Sequence, residues 1–187
     1  MRYPLALHSD GKGDLMSNGR RRCLRAAGVL AVLACVGLGA AQAAEEKAAQ
    51  PGSALEREKA KGKEFLDKAA KEEGAQKTKS GLVYVPLKKG KGLTPRANET
   101  VRVHYTGTFT DGKVFDSSVA RKQPAEFPLD QVIPCWTEGV QKIQVGGKAK
   151  LVCPSDLAYG DRGAGGGMIP GGATLVFEVE LLGIVGK

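Results

Sequence analysis

The feature that most constrains the fold is a series of short β-like runs in the second half of the chain. The clearest run spans 100–109, where Val101, Val103 and Tyr105 point to one face and polar residues point to the other. Alternation of this kind, with β-branched and aromatic residues, predicts a half-buried strand. Gly, Pro and Asp separate the runs, and Asp111-Gly112 is a strong tight-turn signal. The second half of the chain therefore predicts short strands joined by turns.

A single short helix is predicted among these strands. Pro134 suits the first turn of a helix over 135–143, and Gly146-Gly147 closes it. Further strand-like runs span 82–88, 127–130, 148–153 and 173–182. We therefore expect an α+β domain, an antiparallel sheet of five or six strands wrapped around one short α-helix.

Residues 1–43 have the pattern of a secretory signal peptide. A basic cluster at 20–25 precedes an apolar run from Ala26 to Ala40, and residues 41–43 (AQA) supply a small-residue cleavage site. The run is short for a bilayer span, which needs about 20 apolar residues. Because residues 1–15 are polar, Met16 is an alternative start. The pattern predicts export to the periplasm.

Two variants of this export signal stay open. Residues 20–24 (RRRCL) are a poor match to a twin-arginine signal. Residues 32–35 (VLAC) resemble a lipoprotein cleavage site, which would leave the protein lipid-anchored at Cys35 in the outer membrane. Contact with a membrane is expected only in that second case.

Residues 44–79 form a separate segment, rich in Lys, Glu, Ala and Gln. Ser53 could cap a helix that runs to about Glu73, with Gly74 ending it. No heptad pattern is sustained, so the segment is interpreted as a charged helical arm or a partly disordered linker without a core of its own. Three regions result: a signal peptide over 1–43, an arm over 44–79 and a folded domain over 80–187.

The net charge of the chain bears on whether it binds nucleic acid. The formal net charge is +8, but residues 1–43 hold six Lys/Arg and two Asp/Glu, which leaves 22 and 18 in the remainder. This weak, dispersed charge argues against a nucleic-acid partner.

After export, Cys135 and Cys153 remain, and an even pair in an oxidising compartment predicts a disulfide. The alternative is two small buried residues that happen to be Cys.

Several motifs in the second half together resemble the FKBP family of peptidyl-prolyl isomerases. They are Val101–Gly107 (VRVHYTG), Asp111–Ser118 (DGKVFDSS), Val132-Ile133 with Trp136, Glu138-Gly139, Val145-Gly146, Leu157–Gly160 (LAYG), Ile169-Pro170 and Ala173–Leu182 (ATLVFEVELL). Each is weak alone, but their order and spacing match the family over nearly all of residues 80–185. The signal peptide and charged arm further resemble the exported macrophage-infectivity-potentiator branch of bacterial isomerases.

The resemblance implies a proline-binding pocket and a role for each matching residue. Trp136 would be the pocket floor and the Ile133 backbone N–H would hold the substrate backbone. The implied catalytic residues are Tyr105, Phe115, Asp116, Tyr159 and Phe177. The implied substrate-binding residues are Phe127, Val132, Ile133, Trp136, Met168 and Ile169. Ala125 stands where some members have an aromatic wall residue, and Met168 stands where Ile is common.

The implied activity is cis/trans isomerisation of X–Pro bonds during folding of exported proteins, without a metal or cofactor. The expected partners are proline-containing unfolded or partly folded polypeptides, and the resemblance adds macrolide inhibitors as candidate ligands. Much of the helical dimerisation region of the exported branch has no counterpart here, so a monomer is expected. The alternative is a chaperone module that binds proline-containing segments with little catalysis.

Overall fold

The computed structural model describes residues 53–187. Within them, the α-helices are α1 (Ala54–Ala69) and α2 (Pro134–Val140). The strands are β1 (Gln76–Lys77), β2 (Val83–Lys88), β3 (Thr100–Phe109), β4 (Val114–Ser117), β5 (Ala125–Pro128), β6 (Lys148–Cys153) and β7 (Leu175–Ile184). Three short 3-10 turns lie between β6 and β7, at Ser155–Leu157, Gly160–Arg162 and Gly165–Gly167. The predictions for residues 1–52 lie outside the described residues.

The strands form one antiparallel sheet in the order β1-β2-β6-β7-β3-β4, and β5 also pairs with β3. The long strands β3 and β7 pair along their whole length, from Val101 opposite Ile184 to Phe109 opposite Leu175. On the other edge of β3, β5 pairs with residues 100–103 and β4 with residues 106–108. The central strand β3 therefore carries the elements that surround the candidate site.

The predicted α+β fold, an antiparallel sheet around one short helix, is confirmed. The sheet has seven strands rather than five or six, because β1 is only two residues long and β4 (VFDS) lacks a clear alternation. Helix α2 starts at Pro134, one residue before the predicted start, and ends at Val140, three residues before the predicted end. Its last turn tightens, since the Ile143 N–H donates to the carbonyl of Val140 rather than to a residue four positions back.

One face of the sheet packs on α2 and forms the main core. Trp136 and Val140 from the helix are buried there together with inward residues of the strands. The strand residues of this core include Tyr84, Val101, Val103, Tyr105, Ala149, Leu151, Cys153, Leu175, Phe177, Val179 and Leu181, and Leu82 joins them from the position just before β2. These residues have alternate positions along each strand, as expected for side chains that share one face.

Helix α1 covers the opposite face. Its Ala69 packs in a second buried cluster with the outward valines of three strands, Val83, Val85, Val152 and Val176. Ser53 caps the helix and exchanges hydrogen bonds with Glu56, so the predicted cap is present as a capping box. The helix ends at Ala69, before the predicted Glu73, because the next residues form tight turns that lead to Gly74 with φ of +74°.

Cys135 and Cys153 form a disulfide with their Cα atoms 5.7 Å apart. The bond joins the first turn of α2 to the last residue of β6, and both residues are fully buried. It therefore fixes the helix that carries Trp136 to the sheet.

Over residues 53–187, no helix has the length and apolar content needed to cross a membrane.

Candidate active site

The centre of the candidate site is the indole of Trp136. Helix α2 starts at Pro134, which places Trp136 in the first turn of the helix and facing the sheet, with 2% of its surface exposed. Three aromatic rings stand nearly perpendicular to the indole: Tyr105, Phe127 and Phe177, with centroids 5.3, 5.4 and 5.5 Å away. Edge-to-face packing at this distance is the favourable arrangement for aromatic rings. We call these four residues the aromatic cluster.

Phe115 extends the aromatic cluster from β4. Its ring lies 5.7 Å from that of Phe177, at an interplanar angle of 89°. The approach is possible because Gly107 of β3 lies opposite Phe177 and has no side chain. A Cβ atom on Gly107 would lie 2.6 Å from Cζ of Phe115 and 3.1 Å from Cε1 of Phe177. The glycine of the VRVHYTG motif is therefore needed for these two rings to meet.

The polar part of the site is a three-residue network beside the aromatic cluster. The Tyr105 hydroxyl donates to one Asp116 carboxylate oxygen, and the Arg121 guanidinium donates to the other. Arg121 also donates to the Tyr105 hydroxyl over 3.2 Å. The Asp116 side chain is only 9% exposed, whereas half of Arg121 is exposed. The carboxylate therefore sits in a sheltered position with its charge paired.

The same contacts shift the ionisation of the network. Burial, followed by the Asp116 hydrogen bond, raises the pKa of Tyr105 well above its usual value. The hydrogen bond to Asp116 likewise raises the pKa of Arg121. Near neutral pH, Tyr105 is therefore a neutral hydrogen-bond donor and Arg121 a permanent cation.

Arg121 was missed by the sequence reasoning. It is brought to the site by the turn after the DSS sequence, where the Ala120 N–H donates to the Ser117 hydroxyl over 3.2 Å. This turn brings Arg121 back over Asp116 and places its guanidinium carbon 5.9 Å from the centre of the Tyr105 ring. A separation of five residues does not match the period of a helix or a strand. The contact between Arg121 and Asp116 therefore depends on the turn and could not be predicted from the spacing.

Ser118 holds the segment that carries Asp116 against β3. Its hydroxyl accepts from the Tyr105 N–H over 2.8 Å, and its own N–H donates to the Tyr105 carbonyl over 3.0 Å. Ser118 is fully buried. These bonds fix the spacing between the strand that supplies Tyr105 and the segment that supplies Asp116.

The loop after β6 brings further predicted residues toward the site. Tyr159 packs on the main core, and burial with the nearby Asp116 charge raises its pKa to about 12. Ile169 is 4% exposed and forms an antiparallel bridge with Ala164. Met168, its neighbour, is half-exposed on the loop. The structure therefore places Ile169, but not Met168, in the buried core.

Val132 and Ile133 lie immediately before α2. Val132 is partly buried against the main core, and Ile133 is buried as the residue that precedes the first helical turn. The Ile133 carbonyl accepts from Trp136 and Thr137, but no acceptor within residues 53–187 pairs with the Ile133 N–H. A groove of about 420 Å³ along α2 also includes Val132 in its wall.

Among residues 53–187, the indole N–H of Trp136 is the one buried side-chain polar group without a hydrogen-bond partner. Apart from this group, the centre of the site consists of aromatic rings packed edge to face. Its charged groups, Asp116 and Arg121, are paired with each other. The arrangement can hold a small apolar ring against aromatic surfaces and exclude water from the groups attached to it.

Comparison with known proteins agrees with this geometry. Residues 91–182 match the family model described as FKBP-type peptidyl-prolyl cis-trans isomerase. Residues 26–85 match a model described as a domain amino terminal to FKBP-type peptidyl-prolyl isomerase. The isomerase FkpA of Aeromonas hydrophila is 56% identical over 138 residues, which cover 74% of this chain and 50% of that protein.

Solved structures show the same fold. The crystal structure of FkpA from Escherichia coli aligns with a TM-score of 0.67 and 51% identity, over 70% of this chain and 60% of that one. A peptidyl-prolyl cis-trans isomerase from Pseudomonas syringae pv. tomato aligns with a TM-score of 0.65 and 38% identity, over 71% of this chain and 97% of that one. The chain spans about half the length of the curated FkpA relatives it matches. By these matches and by its fold, the chain belongs to the family of FKBP-type peptidyl-prolyl cis-trans isomerases.

Proposed function

We propose that this protein accelerates the cis/trans isomerisation of X–Pro bonds in proline-containing polypeptides. The observation that carries the proposal is the aromatic cluster, in which three rings stand around the Trp136 indole at 5.3–5.5 Å. Membership of the isomerase family supports the same activity. The substrates are unfolded or partly folded proteins, in which exchange at proline takes roughly tens to hundreds of seconds without a catalyst.

The chemistry requires no nucleophile, because no bond is broken. Rotation about the amide faces a barrier of about 18–20 kcal/mol, which reflects the loss of amide resonance. In the twisted transition state the amide loses its charge-separated resonance form and becomes less polar. A site that removes water from the carbonyl therefore favours the twisted amide over the planar one.

Each residue has a role that follows from its environment. Trp136 supports the proline ring, and Tyr105, Phe115, Phe127 and Phe177 keep water away from it. The Ile133 N–H holds a carbonyl of the substrate backbone, while Val132, Ile169 and Met168 contribute apolar surface. Asp116 and Tyr159 orient the substrate rather than transfer protons. In support, the Asp116 carboxylate is already paired with Arg121, and Tyr159 has a pKa of about 12.

A protease-coupled assay with an X–Pro tetrapeptide tests the activity. We expect the full chain to exceed the uncatalysed rate. Trp136→Leu should lower kcat/KM by about two- to thirteenfold, which is the value of an aromatic contact of 0.5–1.5 kcal/mol. The exposed Leu93 provides a control substitution, Leu93→Ala, expected to keep the full rate. A wild-type rate equal to the uncatalysed one would contradict the proposal and leave a chaperone module that only binds proline-containing segments.

We further propose that the chain is exported to the periplasm and divides into the signal peptide over 1–43, the arm over 44–79 and the isomerase domain over 80–187. The basic, apolar and small-residue pattern of the first 43 residues supports export. The mass of the mature protein distinguishes cleavage before Ala44 from lipidation at Cys35. Sedimentation of the same material tests the monomer expected from the sequence, and a macrolide titration tests inhibitor binding.

A further inference from the structure

The loop from 160 to 172 carries Ile169 of the site and directly follows Tyr159. Six of its glycines have positive φ: Gly160, Gly163, Gly165, Gly166, Gly167 and Gly172. Glycine loses more conformational freedom on folding than other residues, so such a loop needs contacts from elsewhere to keep one shape. Several of those contacts come from α1, which lies on the opposite face of the sheet from Trp136.

Helix α1 contacts the beginning of the loop through an ion pair. The Lys59 ammonium lies 2.6 Å from a carboxylate oxygen of Asp161, with both side chains about half-exposed. An exposed ion pair contributes little stability by itself. It does, however, set the position of the first turn of the loop relative to the helix.

The helix contacts the end of the loop through close packing. A Cβ atom on Gly172 would lie 2.8 Å from Cδ1 of Leu55, and a Cβ atom on Gly62 would lie 2.1 Å from Oγ1 of Thr174. Thr174 is buried directly before β7. The absence of a side chain at Gly62 therefore allows α1 to lie against the backbone where the loop rejoins the sheet.

Hydrogen bonds within the loop connect these two anchors to the site. The Gly172 N–H donates to the Gly160 carbonyl over 2.9 Å and closes the base of the loop next to Tyr159. Ala164 and Ile169 exchange two backbone hydrogen bonds of 3.0 Å, which turn the Ile169 side chain into the core. Fixing the base of the loop therefore also fixes the two residues that face the substrate.

We infer that Leu55, Lys59 and Gly62 of α1 are positioning residues for the isomerase site, because they clamp both ends of the loop that places Tyr159 and Ile169. The inference rests on the proposed function for its effect on catalysis. Its structural part, the ordering of the loop by α1, does not depend on that function. A separate measurement can therefore test each part.

The central test is Gly62→Ala in the full chain. In an isolated helix, this substitution is favourable because Ala has the higher helix propensity. Here the added methyl group overlaps Thr174, and α1 has to move away from the loop. Hydrogen exchange at the Ala164, Ile169 and Gly172 amides should become at least about tenfold faster, while exchange in β3 stays unchanged.

The kinetic readout separates positioning from general destabilisation. We expect Gly62→Ala to raise KM about three- to tenfold with kcat within about twofold, since a misplaced loop weakens substrate binding. Gly183→Ala is the matched control, because a Cβ atom there meets no atom within 4 Å. Lys59→Glu should also raise KM, and the double variant Lys59→Glu/Asp161→Lys should restore it by reversing the ion pair.

Two results would overturn the inference. One is unchanged exchange at the three loop amides in Gly62→Ala, which would show that α1 does not order the loop. The other is equal acceleration in the loop and in β3, which would show a general loss of stability. Should the wild-type protein lack isomerase activity, the exchange measurement still decides on the clamp, and quenching of Trp136 fluorescence by a proline peptide replaces the kinetic readout.

Discussion

Removal of the Cys135–Cys153 disulfide should lower the stability of the folded chain by about 3 kcal/mol. The bond closes a loop with a sequence separation of 18 residues. In the chain-entropy description, a loop of this length removes roughly 11 cal/mol/K from the unfolded state, or about 3 kcal/mol at 25 °C. Both cysteines are fully buried, so Ala is the suitable replacement, whereas Ser would bury an unpaired hydroxyl group.

Urea denaturation of the oxidised protein, the reduced protein and the Cys135→Ala/Cys153→Ala variant measures this effect. With an m-value of about 1–3 kcal/mol/M for a small protein, the loss should lower the midpoint by roughly 1–3 M. The reduced protein and the variant should agree, since both lack the crosslink. The reasoning is refuted if oxidised and reduced midpoints coincide, or if Cys135 and Cys153 are both found as free thiols in the untreated protein.

Three further predictions concern the site. Asp116→Asn should lower kcat/KM by less than about tenfold and leave its pH profile flat, because general acid–base catalysis would contribute about 10²–10⁴-fold; a bell-shaped wild-type profile would contradict this. Gly107→Ala should cost about 1–3 kcal/mol in urea denaturation by overpacking Phe115, and adding Phe115→Leu should restore stability but not activity. Burial raises the pKa of Tyr159 to about 12, so the folded state holds this proton more tightly than the unfolded chain. Stability should therefore fall above about pH 10, and less so in Tyr159→Phe, as urea midpoints from pH 9 to 11.5 would show.

The main strands were predictable because their side chains alternate. β3 buries one face, which the pattern of Val101, Val103 and Tyr105 predicts directly, and β7 buries the same kind of face with Val176 as an addition on the other. The short strand β1 could not be predicted, because two residues are too few to show an alternation of buried and exposed side chains. It exists because Gln76 and Lys77 pair with the edge of β2.

The packing of α1 on the sheet could not be predicted from the sequence. Outward valines such as Val83 and Val152 are compatible with a strand that is buried on both faces, but nothing in the sequence indicates which segment covers them. Gly62 interrupts the helical pattern of α1, because glycine has a low helix propensity. In the structure, it is the point of closest approach to Thr174. Only the packing shows why a glycine is suitable there.

In the proposed function, Arg121, which the motifs missed, meets the same requirement as the site residues that the motifs identified. The twisted amide is favoured where water is absent, yet the substrate also has to be held by polar groups. A lone carboxylate beside the aromatic cluster would attract water and would itself be costly to shelter. Arg121 and the Tyr105 hydroxyl bind both oxygens of Asp116, so the polar edge carries oriented groups without an unpaired charge. We therefore expect Arg121 to matter for catalysis through the sheltered state of Asp116, although it lies outside every motif that identifies the family.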